Sequence, residues 1–194
     1  ASDTALGKVG LWPNKWTFDN MMVILIDETT WYGFAVTVSR VVIGSALALI
    51  VTYFAAYALL RKNLRFRKFI VAFLTVPMFF GGGLIATYIV MRTYGLVNTI
   101  WSQILIGSMS TYNMIMVMSY FRSIPDSLEE SAELDGASEW TILWKIFVPL
   151  SVPVIAVVAL YFIVAKWNNW MTSAIYLTNR QYYSLQLILK EILI

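Results

Sequence analysis

The 194-residue sequence contains no cysteine and no histidine. Without them the chain has no disulfides, no thiol nucleophile, no Ser/His dyad and none of the commonest transition-metal ligands. Charged residues make up only 13% of the chain, whereas 59% of its residues are hydrophobic and the mean hydropathy is +0.70. We therefore expect an integral membrane protein with no catalytic residues and no metal site.

The sequence also lacks the Gly-x-x-x-x-Gly-Lys-Ser/Thr loop that binds nucleotide phosphates. Gly81-Gly82-Gly83 has no lysine after it and lies in an apolar stretch near Pro77. Close helix packing or a flexible point is the better interpretation of these glycines. The net charge of +3 is concentrated in the cluster 61–68. A short basic loop of this kind orients a membrane protein, so we expect no nucleic-acid partner.

Four apolar stretches are long enough to cross a bilayer as helices, which takes about 20 residues. They cover about 34–60, 69–91, 100–121 and 149–166. The basic cluster marks the cytoplasmic side, which places both chain ends outside and the loop 122–148 in the cytoplasm. The sequence thus predicts an all-α protein of polytopic transmembrane helices. An external loop with an interfacial segment would occupy 1–33, and a single transmembrane domain 34–194 would end in an external loop at 167–194.

The loop 122–148 carries the signals of a helix, a turn and a second helix. Pro125 suits the first turn of a helix, and Ser127 with Glu130 has the spacing of a capping box. Gly136 supplies the left-handed residue that ends such a helix, and Ser138 can cap the next one. We therefore expect a helix-turn-helix that projects from the membrane into the cytoplasm.

Each of these two helices is predicted to have an apolar face. A stripe on the first helix can enter a groove on a partner while the flanking carboxylates pair with basic residues. The stripe consists of Leu128, Ala132 and Leu134. The second helix is expected to lie in the membrane interface, because its apolar residues recur at helical spacing. These residues are Trp140, Leu143, Trp144 and Phe147.

This loop resembles the cytoplasmic signature of the inner-membrane permease subunits of binding-protein-dependent ABC importers. That signature runs Glu-Ala-Ala, three residues, Gly, nine residues, then Ile-x-Leu-Pro. The matching residues here are Glu130-Ser131-Ala132, Gly136, Ile146, Val148 and Pro149, with Ser131 and Val148 as conservative departures. Other segments are similar to the MalG-like carbohydrate branch of the family: Ala55–Leu59, Gly95–Thr99 and Trp167-Asn168. The tail 176–188 resembles permeases for complex oligosaccharides, among which an alginate importer is one alternative.

The resemblance implies a six-span core of which this chain supplies the second to fifth spans. The implied function is a permease subunit, in the bacterial inner membrane, of an ATP-driven importer. By alternating access it would move a carbohydrate, in particular an oligosaccharide, from an external solute-binding protein to the cytoplasm. The chain would not be an enzyme: two cytoplasmic ATPase subunits would bind ATP and Mg²⁺, and a second homologous permease would complete the assembly among membrane lipids.

Two other functions stay open, because importers of other small solutes share the loop and a non-transporting scaffold could use it to recruit a cytoplasmic partner. A secondary transporter is disfavoured, since none of the four stretches contains a carboxylate for ion coupling.

The resemblance assigns coupling to the ATPase to seven residues of the loop. They are Leu128, Glu130, Ser131, Ala132, Asp135, Gly136 and Ala137. Glu130 is the candidate for an ion pair with the ATPase, and Gly136 would let the turn approach the partner closely. An ordinary solvated helix with a glycine cap is the alternative.

Three residues of the stretch 100–121 are predicted to line the substrate pathway, because polar groups at membrane depth often serve transport. They are Tyr112, Asn113 and Met116. An aromatic ring can stack on a sugar and an amide can bond its hydroxyls, although polar residues also join neighbouring helices. Arg40 is predicted to snorkel to the outer surface, with pairing to an anionic substrate as the alternative.

The external loop after the last stretch is predicted, by resemblance, to contact the solute-binding protein. The residues concerned are Asn179, Arg180, Gln181 and Tyr182. The alternative is an ordinary external turn, because arginine and aromatic residues are common in such loops.

Overall fold

The computed structural model describes residues 26–61 and 64–193, and every regular element within them is helical. The helices are α1 Glu28–Leu60, α2 Arg67–Phe79, α3 Gly83–Thr93, α4 Ile100–Leu105, α5 Thr111–Phe121, α6 Asp126–Leu134, α7 Glu139–Ile142, α8 Val148–Leu150, α9 Val152–Asn168, α10 Met171–Tyr176 and α11 Leu185–Leu193. A π-helical turn, Leu143–Phe147, joins α7 to α8, and a 3-10 turn covers Arg180–Tyr182. The predicted all-α fold is confirmed for the described residues.

The first predicted span is one continuous helix. At about 1.5 Å per residue, the 33 residues of α1 extend for about 50 Å. The helix begins at Glu28, six residues before the predicted start of the span, because the Asp27 side chain accepts a hydrogen bond from Thr29 N at 3.1 Å and caps it. The end of the segment assigned to an external loop is therefore helical, and residues 1–25 of that segment lie outside the described residues.

The second predicted span, 69–91, is broken into α2 and α3, and the chain bends by 118° between them. Pro77 lies inside α2, and Gly83 begins α3 with a φ of +74°. A Cβ built on Gly81 or Gly83 would meet no described atom within 4 Å, so tight helix packing does not explain these glycines. The chain changes direction here, and the predicted flexible point stays a prediction.

The two remaining predicted spans are interrupted as well. The stretch 100–121 divides into α4 and α5, with Gly107 between them at a φ of +70°. The stretch 149–166 falls mainly in α9. The chain bends by 81° between α9 and the helical segment Glu139–Leu150, which comprises α7, the π turn and α8. By length and composition, the described residues hold one helix able to cross a membrane, or up to three if each bent pair is one span. The four predicted spans thus correspond to one continuous helix and three interrupted stretches, and the number of membrane crossings stays a prediction.

The core lies where α1, α5, α9 and the π turn meet. Three aromatic rings pack edge to face at its centre: Phe147 lies 5.2 Å from Tyr57 and 5.1 Å from Phe121, measured between ring centroids. Val158 of α9 and Val117 of α5 are fully buried beside them. Because Phe147 lies near the end of the loop 122–148, this packing ties the loop to α1 and α5.

Candidate functional site

The first helix of the loop 122–148 begins where the sequence predicts. Asp126 and Glu129 lie in the first turn of α6, where the positive end of the helix dipole stabilises carboxylates. The predicted capping box is wrong, because Pro125 precedes the helix directly and no side chain caps it. The carbonyl of Ser127 instead accepts a hydrogen bond from Ser131 Oγ at 2.7 Å.

The turn after α6 closes around Gly136 through two backbone hydrogen bonds. Gly136 N donates to Glu133 O at 3.0 Å and Ala137 N donates to Ala132 O at 2.9 Å, which together form a Schellman motif. Gly136 has a φ of +77°, a conformation that residues with a Cβ rarely adopt. A Cβ there would meet no described atom within 4 Å. Glycine is therefore required by the backbone angle, and the space beside it is open.

Ser138 caps α7 as predicted, since its Oγ accepts a hydrogen bond from Thr141 N at 3.3 Å. The predicted interfacial face of the following segment is divided, with two of its members buried in the core and two exposed beside Phe54 of α1. The buried members are Leu143 and Phe147, and the exposed members are Trp140 and Trp144, whose rings lie 5.6 and 6.5 Å from that of Phe54. The prediction that all four lie in the membrane interface is wrong for the buried pair.

The seven predicted coupling residues differ in exposure. Leu128, Glu130, Ser131, Asp135 and Gly136 are exposed, whereas Ala132 and Ala137 are half-buried and pack against the core. The predicted apolar stripe is therefore wrong at Ala132, because this residue faces the protein itself. Leu128 and Leu134, 43% and 89% exposed, remain on the outer surface among carboxylates. The role of these residues in coupling stays a prediction.

Arg61, the residue after α1, links α1 to both helices of the loop. Its guanidinium contacts the carboxylates of Glu129 in α6 and Glu139 in α7. It also lies over the ring of Tyr57, with 4.7 Å between its Cζ and the ring centroid, and Tyr57 Oη donates to Glu139 Oε2 at 2.7 Å. The sequence interpretation used Arg61 only as an orientation signal and missed these contacts, because a basic cluster does not reveal its partners.

The structure separates the three residues predicted to line a substrate pathway. Tyr112 is 57% exposed, whereas Asn113 is 5% exposed and Met116 is half-buried against the core. Asn113 N donates to Ser110 Oγ at 3.3 Å, which caps α5. Tyr112 and Asn113 therefore do not share a surface in this chain, and their contact with substrate stays a prediction.

The residues predicted to contact the solute-binding protein lie in an exposed turn. Asn179 Oδ1 accepts a hydrogen bond from Gln181 N at 3.1 Å and starts the 3-10 turn. Arg180 forms an ion pair with Glu191 of α11 at 3.0 Å, and Tyr182 is 37% exposed. All four side chains are thus accessible, and their partner contact stays a prediction.

Asn98, which lies just before α4, forms hydrogen bonds that support this turn. It has a left-handed backbone with a φ of +62°, and its N–H donates to Tyr176 O at 2.8 Å. Its Oδ1 accepts hydrogen bonds from Thr178 N and Asn179 N at 3.1 and 2.8 Å. Burial raises the pKa of the Tyr176 phenol above its ordinary value. The sequence marked Asn98 only as part of the segment 95–99 that resembles a family.

Arg40 lies at the centre of a buried polar network and reaches neither surface. It is 2% exposed, so the predicted snorkelling is wrong. Its guanidinium donates to the carbonyls of Lys166 and Asn169, at 2.8 and 2.9 Å, at the end of α9. It also donates to Gln103 Oε1 at 2.7 Å and Ser173 Oγ at 3.1 Å. These contacts make Arg40 a cap for the carbonyl end of α9 and leave none of its terminal nitrogens for an anionic substrate.

Lys166 caps the carbonyl end of a second helix in the same network. Its Nζ donates to the carbonyls of Ile104 and Ile106, at 3.0 and 3.3 Å, where α4 ends. The side chain crosses α1 at Gly44, where a Cβ would lie 2.8 Å from Lys166 Cε and 2.9 Å from its Cδ. Gly44 therefore leaves the room that Lys166 needs. The sequence interpretation missed this contact, because Lys166 is simply the cation that ends an apolar stretch.

Residues 47–186, which include the second part of α1, the helices α6 and α7 and the turn at Arg180–Tyr182, match the family described as "Binding-protein-dependent transport system inner membrane component". The chain belongs to this family. It is 33% identical to Protein LplC of Bacillus subtilis (strain 168), with 95% of this chain and 62% of that protein covered. It is 34% identical to the polygalacturonan/rhamnogalacturonan transport system permease protein YtcP of the same organism, with 94% and 64% covered.

A solved structure has the same fold. It is the crystal structure of a bacterial ABC transporter involved in the import of the acidic polysaccharide alginate, with a TM-score of 0.89 and 32% sequence identity over 98% of this chain and 68% of that chain. The chain spans less than two thirds of the length of LplC and YtcP. The predicted inner-membrane location is confirmed by the family, whose relatives are transport proteins.

Proposed function

We propose that this chain is the permease subunit of an ATP-driven importer that moves a carbohydrate, in particular an oligosaccharide, by alternating access. The observation that carries this proposal is the exposed acidic helix α6 with its Schellman turn at Gly136, inside the family match at residues 47–186. YtcP and the alginate importer support a transport role, and their descriptions name carbohydrate polymers.

The proposed partners would supply the functions for which this chain has no residues. The sequence has no phosphate-binding loop, so ATP and Mg²⁺ would bind to two cytoplasmic ATPase subunits. A second homologous permease would complete the pathway across the lipid, and an external solute-binding protein would deliver the carbohydrate. Within this chain, all seven predicted coupling residues lie on α6 or the turn after it, and five of them are exposed.

Movement of α6 can reach the membrane-spanning helices by two routes that the structure contains. One route follows the chain through α7 and the π turn, whose Phe147 is packed in the core between Tyr57 and Phe121. The other crosses from Glu129 to Arg61 at the end of α1. Since packed elements of this kind move as units, displacement of α6 by closing ATPases would shift α1 and α5 together.

Reconstitution of the full importer in lipid vesicles tests the proposed function. With the binding protein carrying its oligosaccharide, we expect ATP hydrolysis to rise at least about fivefold over the rate with the empty binding protein. Labelled oligosaccharide should accumulate with ATP present and not with a non-hydrolysable analogue. Alginate-derived, galacturonate-containing and neutral oligosaccharides would be compared at equal concentration. A non-transporting scaffold predicts an unchanged rate of hydrolysis and no accumulation with any of them.

We predict that Glu130→Lys weakens association with the ATPase about tenfold, because it reverses a charge that would pair with a basic residue of the partner. Affinity would be measured by surface binding of purified ATPase to permease held in nanodiscs. Glu133→Lys is the matched control, since it makes the same charge change on an exposed residue of the same helix. Equal effects of the two variants would indicate general electrostatic attraction, and unchanged affinity in Glu130→Lys would remove Glu130 from the docking contact.

A further inference from the structure

Arg61, Glu129 and Glu139 form a cluster that connects three helices through side-chain contacts. Arg61 follows α1 directly, Glu129 lies in the first turn of α6, and Glu139 begins α7. One nitrogen of the guanidinium contacts Glu129 and the other contacts Glu139. A single side chain therefore bridges both helices of the cytoplasmic loop to the end of α1.

Tyr57 fixes the direction in which Arg61 points. The guanidinium lies over the Tyr57 ring at 4.7 Å, and the phenol hydroxyl donates to the carboxylate of Glu139 at 2.7 Å. The ring of Tyr57 is itself 5.2 Å from that of Phe147 in the core. Because the Tyr57 ring is buried, it gives the Arg61 side chain a fixed surface to pack against.

The pair of Arg61 and Glu129 is partly buried, whereas the side chain of Glu139 is 59% exposed. The side chains of Arg61 and Glu129 are 23% and 21% exposed, so water and salt screen their charges less than those of a pair on the surface. Arginine suits the position because its planar guanidinium presents donors in two directions at once, whereas lysine offers a single point charge. The arrangement requires arginine more than it requires positive charge.

We propose that Arg61 is a positioning residue that clamps α6 and α7 to the cytoplasmic end of α1, so that displacement of α6 is carried into the first span. The proposal rests on the proposed function, in which α6 is the element that the ATPases move. Without the clamp, α6 would keep only its packing at Ala132 and its chain connections to α5 and α7. The ATPases could then still bind and hydrolyse ATP while α1 followed their movement less faithfully.

A distance measurement in the assembled importer tests the clamp directly. The chain contains no cysteine, so cysteines introduced at the exposed positions Ala58 of α1 and Ser127 of α6 give it two unique sites for spin labels. The partner subunits would be used in cysteine-free form. In Arg61→Gln we expect the distribution of label distances to broaden markedly, and transport per ATP hydrolysed to fall at least about fivefold, with ATPase affinity unchanged. Arg61→Lys should lie between Arg61→Gln and the unsubstituted chain.

Arg65→Gln is the matched control, since Arg65 is exposed four positions later and makes no ion pair within the part of the chain that the structure describes. It should leave both the distance distribution and the transport yield unchanged. Glu129→Gln removes one arm of the clamp while Arg61 keeps Tyr57 and Glu139, so it makes the same comparison should Arg61→Gln fail to insert. It should broaden the distances less than Arg61→Gln.

The two proposals fail in different ways. An unchanged distance distribution in both Arg61→Gln and Glu129→Gln overturns the clamp, whatever the transport assay shows. Broadened distances with an unchanged yield of transport per ATP also overturn it, because the clamp would then have no part in coupling. If the unsubstituted importer shows no stimulation by its loaded binding protein, the proposed function fails, and the distances report only a structural contact.

Discussion

Gly136→Asp is expected to reduce transport to below about a tenth of the unsubstituted importer, while Gly136→Asn retains a substantial part. Both side chains tolerate the left-handed backbone better than other residues do, so the backbone cost is similar in the two variants. They differ by one negative charge in a turn that already carries Glu133 and Asp135. Because a Cβ at Gly136 meets no described atom of this chain within 4 Å, we attribute the large expected difference between the two variants to a partner surface.

Uptake of labelled oligosaccharide in cells is the measurement, with the amount of inserted permease matched between variants. Gly136→Ala serves as the control for backbone strain, since alanine in this conformation costs about 1–2 kcal/mol and adds no charge. Normal uptake by Gly136→Asp at equal expression would contradict the docking of this turn on the ATPase. Equal loss in the aspartate and asparagine variants would show that a side chain of any charge is excluded there.

Arg40→Met should be the most destabilising single change in the described part of the chain. It removes the guanidinium donor from four hydrogen bonds and leaves two carbonyls at the end of α9 buried without partners. Loss of one member of a buried charged network of this kind costs about 3–5 kcal/mol. For a chain of this size, such a loss lowers the melting temperature by roughly 10 °C.

Thermal unfolding in detergent, followed by intrinsic tryptophan fluorescence, measures this effect. Arg92→Met is the matched control, because Arg92 is an exposed cation in the last turn of α3 and should shift the transition by very little. Lys166→Met should fall between the two, since it removes only the donors to Ile104 and Ile106. A melting temperature of Arg40→Met equal to that of Arg92→Met would rule out a stabilising role for the network.

The features that the sequence predicted correctly depend on residues close to one another in the chain. The start of α6 after Pro125, the left-handed Gly136 and the cap at Ser138 involve contacts over at most five positions. Their signals are therefore visible in the order of the residues. The same locality explains why the predicted capping box could fail: Ser127 and Glu130 have the right spacing, but Pro125 starts the helix two residues earlier than that box requires.

The apolar stretches were a weaker guide to the helices that they form. Hydropathy counts apolar side chains in a window and does not register a change in backbone direction. Pro77 with Gly83 and the pair Pro149 and Pro153 redirect the chain inside or at the start of predicted spans. The breaks were available in the sequence as isolated prolines and glycines, yet only the structure gives the angles of 118° and 81°.

By itself, the sequence determined that this is an all-α membrane protein with an acidic helix-turn-helix between apolar segments, because composition and local capping signals suffice for both. Only the tertiary structure decided what the buried and half-buried cations do. Arg40 bonds residues 63 to 133 positions away, and Arg61 meets Glu139 across 78 positions. The packing of the whole chain decides which helix ends lie next to a cation, so a local sequence pattern cannot predict these contacts.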